Sequence, residues 1–508
     1  MNRYLRFVLK YIFPLIALIG ILGVSACAEG SPYPEDMWTR NIYPGLPNTY
    51  NVGSEVYPYH EGHFTELFLN GRPFTSGIVS ATWVVAASDS RDANRADLTC
   101  DGVQDDVEIN TALTSCPPIG GRVILLEGNY NTTQNILVSA NCTLEGQGWS
   151  TVINANGAAI TNAVIMNGDD AQIKNLKVII VAGCGTAGAR PNIIYSIGKT
   201  TIIVDNLYLY GDITVGGDGS VNRQNGIRLS NVDGSHVRNC LVTNNQYYGI
   251  SLSNDCDFSF VRGNLCYSNR DGISLNDCTG TVVAANTCIL NVEYGIHLHS
   301  SSEGSVEVNL ASFNSRDGIY CLASSENAFA GNILRNNTWN GIHLEGGLFN
   351  SITGNTVTNN TSSGIYLTSA DSTILAGNIC GTNGVHGIYL DVSNHCTVTG
   401  NNCFGQTANH GIYARRTSHC PITGNTCGGN NLDGINVLGD VTANADYNTL
   451  VGNVCYNNTN DGIEVDGDFG GGNNYANENI VTSNQLKGNG GVSLNDDGTG
   501  TVTDNNVI

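Results

Sequence analysis

Along most of the chain, short runs of alternating apolar and polar residues are separated by polar turns, and the runs return in register. A Gly-Ile pair marks the register, at Gly226, Gly249, Gly272, Gly295, Gly318, Gly341, Gly364 and Gly387, each 23 residues after the last. It continues at Gly411 and Gly434 with one extra residue, then at Gly462 and, as Gly-Val, at Gly491 after coils lengthened by five or six residues. Each window parses into three short strands in which alternation sends one side chain inward and the next outward. The helical period of 3.6 residues is absent, which excludes arrays of helical repeats.

Stacking the windows lines up like residues. The isoleucines after the glycines, from Ile227 through Ile250, Ile273 and Ile296 to Ile463, form one core column. Leu229, Leu252, Leu275, Leu298, Leu344, Leu367 and Leu390 form a second, and Val283, Val306, Phe329, Ile352, Leu375 and Val398 a third. Two asparagine columns mark the turns, Asn286 to Asn401 and Asn291 to Asn383, where amides about 4.8 Å apart can hydrogen-bond from coil to coil. The predicted fold is all-β, a right-handed single-stranded parallel β-helix of 23-residue coils.

The run "ITGNTVTNNTSSGIYL", Ile352 to Leu367, resembles the parallel β-helix repeat of the pectate lyase-like superfamily. Polysaccharide lyases, hydrolases, epimerases, phage tailspikes and the copper-related β-helix proteins of nitrous oxide reductase clusters share that repeat. "CDGVQDDVEINTAL", Cys100 to Leu113, with "CTLEGQG", Cys142 to Gly148, resembles the start of that superfamily, where a short helix plugs the open end. Asp105 or Asp106 is the expected helix cap. "NIYPGLPNTYNVGSEVYPYHEGHFTELFLNG", Asn41 to Gly71, is similar to a phage tail-fibre module, with Val52 and Tyr59 departing from its pattern; a plain connecting stalk is the other reading. The tailspike likeness also brings a homo-oligomer into view. The expected divisions are an export segment at 1–27, a linker or module at 28–84, a capping segment at 85–130 and the coils at 131–508.

Charge and the chain start narrow the function. Of 508 residues, 44 are acidic and 22 basic, a net charge of −22, so a polyanion is repelled and nucleic acid is excluded as partner. Arg3, Arg6 and Lys10 precede an apolar run from Tyr11 to Val24, short for a span of roughly 20 residues. "VSAC" resembles a lipoprotein processing box, which implies lipidation at Cys27; an uncleaved membrane anchor is the alternative. Both put the body outside the cytoplasm, attached to a membrane.

In an exported protein 17 cysteines would suggest disulfides. Yet Cys240, Cys266, Cys288, Cys380, Cys403, Cys427 and Cys455 each lie two places after an asparagine, where other coils carry Ala311, Leu334 and Val357, so they read as core. Cys100 and Cys116 lie outside the repeat and are the expected disulfide, with pairing between cysteines of adjacent coils as the other reading where geometry allows it.

Candidate chemistry sits in the outward column between the inward Ile and Leu: His297, Tyr320, His343, Tyr366, Tyr389 and Tyr413 on consecutive coils. Such an aromatic ladder suits a polysaccharide, with sugar faces stacking on rings, although aromatic residues also fit a pleated surface without binding anything. Asp317, Glu345 and Asp391 flank it and are the candidate acid and base of a hydrolase or lyase. "YGIHLH", Tyr294 to His299, resembles the mannuronan C5-epimerase motif, but His297 stands where that motif has aspartate. Asp461, Glu464, Asp466 and Asp468 gather in a glycine-rich coil that suits calcium, the one cofactor the sequence brings in. Copper would call on His297, His299 and His343, with only three methionines in the chain. The expectation is a surface-anchored protein that binds, and in one version processes, extracellular or cell-surface glycan. A non-catalytic adhesin or spacer is the alternative.

Overall fold

The computed structural model describes residues 67–69, 72–74, 82–181, 184, 191–211, 224–466 and 475–508. Met1–Ile78 is a unit of its own, in which Leu67–Leu69 pairs antiparallel with Arg72–Phe74. The export segment and Cys27 lie outside the described residues, as does most of the tail-fibre-like stretch.

Val79–Ile508 is the second unit, a right-handed parallel β-helix. Each coil contributes one strand to each of three parallel ladders; one such coil runs Ile342–Glu345, Ser351–Thr353 and Thr356–Thr358 before returning at Ile365–Thr368. The Gly-Ile ladder has 15 strands, from Ile136–Val138 to Leu494–Asp496, and the cysteine-bearing ladder 15, from Gly128–Thr132 to Gln485–Lys487. The third runs open from Thr82–Ala86, through Gly121–Leu125 and Cys142–Glu145, to Val502–Asp504. Pairing is in register: Ile342 opposes Ile365, which opposes Ile388. The three predicted columns are buried, from Ile227 to Ile463 at 0% exposure.

The repeat glycines answer to a close approach between coils. A Cβ on Gly295 would lie 2.5 Å from the Gly318 carbonyl oxygen and 2.8 Å from Asn314 Nδ2, so the next coil leaves no room for any side chain. At Gly354 the reason differs: φ is +61°, in the left-handed region that turns the chain into the following asparagine.

Those asparagines lie inside. Asn355, fully buried, accepts from Asn332 N and Nδ2 through one oxygen and donates through Nδ2 to Phe329 O and to Asn378 Oδ1, each at 2.9 Å. The same bonds repeat from Asn264 to Asn506, so the amides form a continuous buried ladder at the turn. Each amide satisfies backbone groups that the corner strips of sheet partners.

Three expectations change. The helix Asp106–Thr114 packs Ile109, Ala112 and Leu113 into the core beside Val85 and Val123. Its acids do not cap it: Asp105 accepts from Gly102 N and Asn131 N, and Asp106 from Thr133 N and Gln134 N, binding the helix to the first coil. Cys100 and Cys116 are free thiols, not a disulfide. They flank this nine-residue helix, which at 1.5 Å per residue is about 13 Å long, beyond the roughly 5.5 Å between Cα atoms that a bridge allows. Finally, Ile463 pairs with Leu494, so the last coil is two residues longer than the Gly491-Val492 match implied.

Candidate functional site

The outward column of the Gly-Ile ladder is where the side chains with chemistry converge. Backbone register places Ser274, His297, Tyr320, His343, Tyr366, Tyr389, Tyr413, Asn436 and Glu464 on successive strands. The rings stack along the rod axis: His297 to Tyr320 at 5.3 Å between centroids, then 5.1, 4.6, 4.7 and 5.1 Å to Tyr413. From His343 to Tyr413 neighbouring planes differ by only 15–23°. Coil rise and ring contact distance coincide, so the rings spend their faces on one another and turn their edges outward. Stacking of sugars on ring faces, the basis of the sequence expectation, is therefore blocked along the middle of the ladder. Phenol and imidazole edges remain.

A second column, immediately before the repeat glycine, was read from the sequence for its acids, Asp317 and Asp461 among them, and not for its rings. It contributes Tyr294, stacked on Tyr320 at 4.7 Å, and His386 and His410, 4.8 and 5.0 Å from Tyr413. The signal was legible in the same alignment, three places before each ladder residue. Arg316 donates to the Tyr294 hydroxyl at 3.0 Å and covers Trp339 at 5.1 Å.

The same column supplies carboxylates tucked behind the imidazoles. His297 Nδ1 lies 3.2 Å from Asp271 and His410 Nδ1 2.9 Å from Asp433. Asp317 is fully buried; its Oδ1 accepts from Asn340 N and Nδ2 at 2.8 and 2.9 Å. Its Oδ2 stands 3.7 Å from His343 Nδ1, and both atoms lack a hydrogen-bond partner. Burial and neighbouring His410 push the His386 pKa down to about 3.

The three candidate catalytic acids differ in burial and in partners. Glu345 is exposed and accepts from the Tyr320 hydroxyl at 2.6 Å, which together with burial raises the Tyr320 pKa. Asp317 is buried beside the next coil, between Asn340 and His343. Asp391 is clamped by Arg416, whose Nη2 is 2.5 and 2.7 Å from its two oxygens. Glu345 and Asp391 share one column of the Gly-Ile ladder, two rungs apart through Thr368.

At the C-terminal end of the column the acids regroup. Oxygens of Asp433, Asp461 and Glu464 lie within 4.8 Å of one another. Asp433, from the preceding coil, joins the expected set, while Asp466 is outside this cluster and Asp468 outside the described residues. Soft donors do not assemble in the same way. Among the described residues no group of three metal-binding side chains contains a histidine. Tyr320 separates His297 from His343, His299 Nδ1 contacts Asn276, and the repeat cysteines point into the core.

No curated protein matches the chain significantly. Solved structures that resemble it include the A-module of Azotobacter vinelandii mannuronan C-5 epimerase AlgE6, 16% identical, with 79% of this chain and 96% of that one covered and a TM-score of 0.44. DFA-IIIase from Arthrobacter chlorophenolicus A6 in complex with DFA-III is 15% identical over 62% and 93% of the chains, TM-score 0.45. The periplasmic alginate epimerase AlgG is 14% identical over 76% and 77%, TM-score 0.35. A family model described as "Periplasmic copper-binding protein (NosD)" matches in overlapping segments at 127–304, 208–340, 286–385, 340–468 and 377–508, well over half of the sequence. The chain belongs to the NosD family.

Proposed function

We propose that this protein is an extracytoplasmic β-helix that binds an uncharged polysaccharide along the ring edges between His297 and Tyr413. The observation that carries the reading is the unbroken ladder itself, six consecutive rungs presenting hydroxyl or imidazole edges at a constant spacing. A polymer lying along the rod meets a donor or acceptor at every rung, so weak contacts add up along its length.

Charge selects the class of polymer. Arg416 is engaged by Asp391, Arg415 by Asp440 and Arg270 by Glu293, while Glu345 stays exposed. An acidic polysaccharide finds no uncompensated cation among these groups and meets a chain of net charge −22. The basic start, the apolar run to Val24 and the box ending at Cys27 support export with a lipid anchor, and the periplasmic family description supports the compartment. That description also names copper, but among the described residues no group of three metal-binding side chains contains a histidine or more than one cysteine.

Retention of neutral and acidic polysaccharides by residues 27–508 tests the reading. Neutral polymers should be retained and acidic ones not. A Tyr366→Phe, Tyr389→Phe double variant, which keeps the stacking and removes two hydroxyl edges, should weaken retention about tenfold. Unchanged retention by that variant would remove the ladder from the binding surface.

A further inference from the structure

On the outer face of the cysteine-bearing ladder one column alternates between glycine and a ring: Gly381, Phe404, Gly428 and Tyr456 lie on successive rungs in direct register. Each ring leans back over the glycine before it. A Cβ on Gly381 would lie 2.5 Å from Phe404 Cζ and 2.9 Å from both Cε atoms, and one on Gly428 2.5, 2.7 and 2.9 Å from the same atoms of Tyr456. Near-equal distances to three ring carbons belong to a point above the ring plane; a point beyond the tip would be far closer to Cζ than to its neighbours. Both rings therefore lie flat, one face on glycine backbone and the other toward solvent. The glycines are buried under them, while Tyr456 is 41% exposed and Phe404 half-buried.

The contrast with the Gly-Ile ladder is one of spacing. There a ring stands on every rung and the rings stack on one another; here a glycine on every second rung opens a seat, and the next ring covers it. A flat ring keeps free the apolar face on which a sugar stacks. The two rings are two rungs apart, roughly 9.6 Å at the usual strand separation and close to the length of two sugars in an extended chain. Charge narrows the ligand further. On this ladder and the third one, every strand from Ser351–Thr353 to Val454–Tyr456 is free of charged side chains, in a chain of net charge −22. Asn402, exposed and two places before Phe404 on the same side of the strand, and its rung neighbour Thr426 offer an amide and a hydroxyl to sugar hydroxyls.

We propose that this face is a second sugar-binding site, at which Phe404 and Tyr456 stack on every second ring of one extended, uncharged polysaccharide chain. In a chain linked as in cellulose or mannan, sugars two units apart present the same face, which two platforms on alternate rungs match. The site shares its ligand class with the ring edges of the Gly-Ile ladder and none of their residues, so it does not rest on that reading.

The test is calorimetric titration of the full-length protein with cellohexaose and mannohexaose, and with maltohexaose, whose chain curves, as the control. At least one extended hexasaccharide should bind, and maltohexaose at least tenfold more weakly. Phe404→Leu and Tyr456→Leu keep an apolar cover on the glycines and lose the ring face, so each should weaken binding about tenfold. Gly428→Val keeps Tyr456 but fills its seat; lifting the ring should weaken binding as much as removing it, an effect that a covering role alone would not produce. Circular dichroism confirms the fold of each variant. Tyr366→Phe, Tyr389→Phe, on the other ladder, should leave the affinity unchanged. Failure of folded wild-type protein to bind either extended hexasaccharide would overturn the site, as would unchanged affinity in the Phe404→Leu, Tyr456→Leu double variant or equal affinity for maltohexaose. Loss of binding in Tyr366→Phe, Tyr389→Phe, with the leucine variants unaffected, would assign the sugar to the Gly-Ile ladder alone, so the two readings fail separately.

Discussion

Replacing Asn355 with alanine should cost this fold more than most surface or core changes, and the cost can be worked from its bonds. The side chain makes four hydrogen bonds, all between fully buried partners. Asn332 Nδ2 keeps Val306 O and Asn378 Oδ1 keeps the Asn355 backbone N–H, so those two survive the substitution. Asn332 N–H loses its acceptor, and Phe329 C=O loses the amide that satisfies it at the corner. At about 1–3 kcal/mol for each buried group left unpaired, the expected loss is about 4 kcal/mol. Exposed Asn359 on the same coil, with φ +56°, is the control: Asn359→Gly should stay within about 1 kcal/mol. Urea denaturation followed by circular dichroism measures the total. Because each coil touches only its neighbours, amide exchange should show the loss concentrated between Asn332 and Asn378. A loss below about 1 kcal/mol, or unchanged protection at the Asn332 amide, would mean that water replaces the amides and that the ladder does not hold the turns.

Other expectations follow from the same geometry. His386, with its pKa near 3, binds fewer protons folded than unfolded, so stability should fall as pH drops from about 6.5 toward 3; melting curves of His386→Phe should show a shallower acid loss, and an identical slope would acquit the residue. Arg416→Met strands the Asp391 carboxylate and should lower stability by about 2 kcal/mol in urea, with Arg416→Met, Asp391→Leu recovering most of it; no recovery would show that packing rather than charge is at stake. Mass mapping after alkylation of denatured, unreduced protein should find Cys100 and Cys116 as thiols, and a peptide linking them would contradict their placement at opposite ends of the helix.

The fold was legible because one number, the 23-residue period, determines register, and register determines burial. Columns read from Ile227, Leu229 and Val283 are core columns in the structure for that reason. The causes were less legible than the pattern. That Gly295 is glycine because the next coil's carbonyl lies 2.5 Å from where its Cβ would be is a contact between residues 23 apart. Where the period breaks, the reading slips too: the lengthened coil after Gly462 concealed the Leu494 register, and the one after Gly434 the approach of Asp433 to Asp461 and Glu464.

The face shows how far periodicity carries toward function. It identified which residues share a stripe, from His297 to Tyr413, but not which way each ring turns. Turning is decided by the stack: rungs about 4.8 Å apart are spaced almost as rings prefer, so each aromatic residue gains more from its neighbour than from standing free. A column of this kind stabilises the rod and, by doing so, hides the apolar faces that made it attractive for sugars. What is left for a ligand is the polar margin, where Tyr320 already engages Glu345. On the proposed reading, recognition would rest on hydrogen bonds repeated along the axis, so the ligand proposed for the ladder is an extended polymer and not a single sugar.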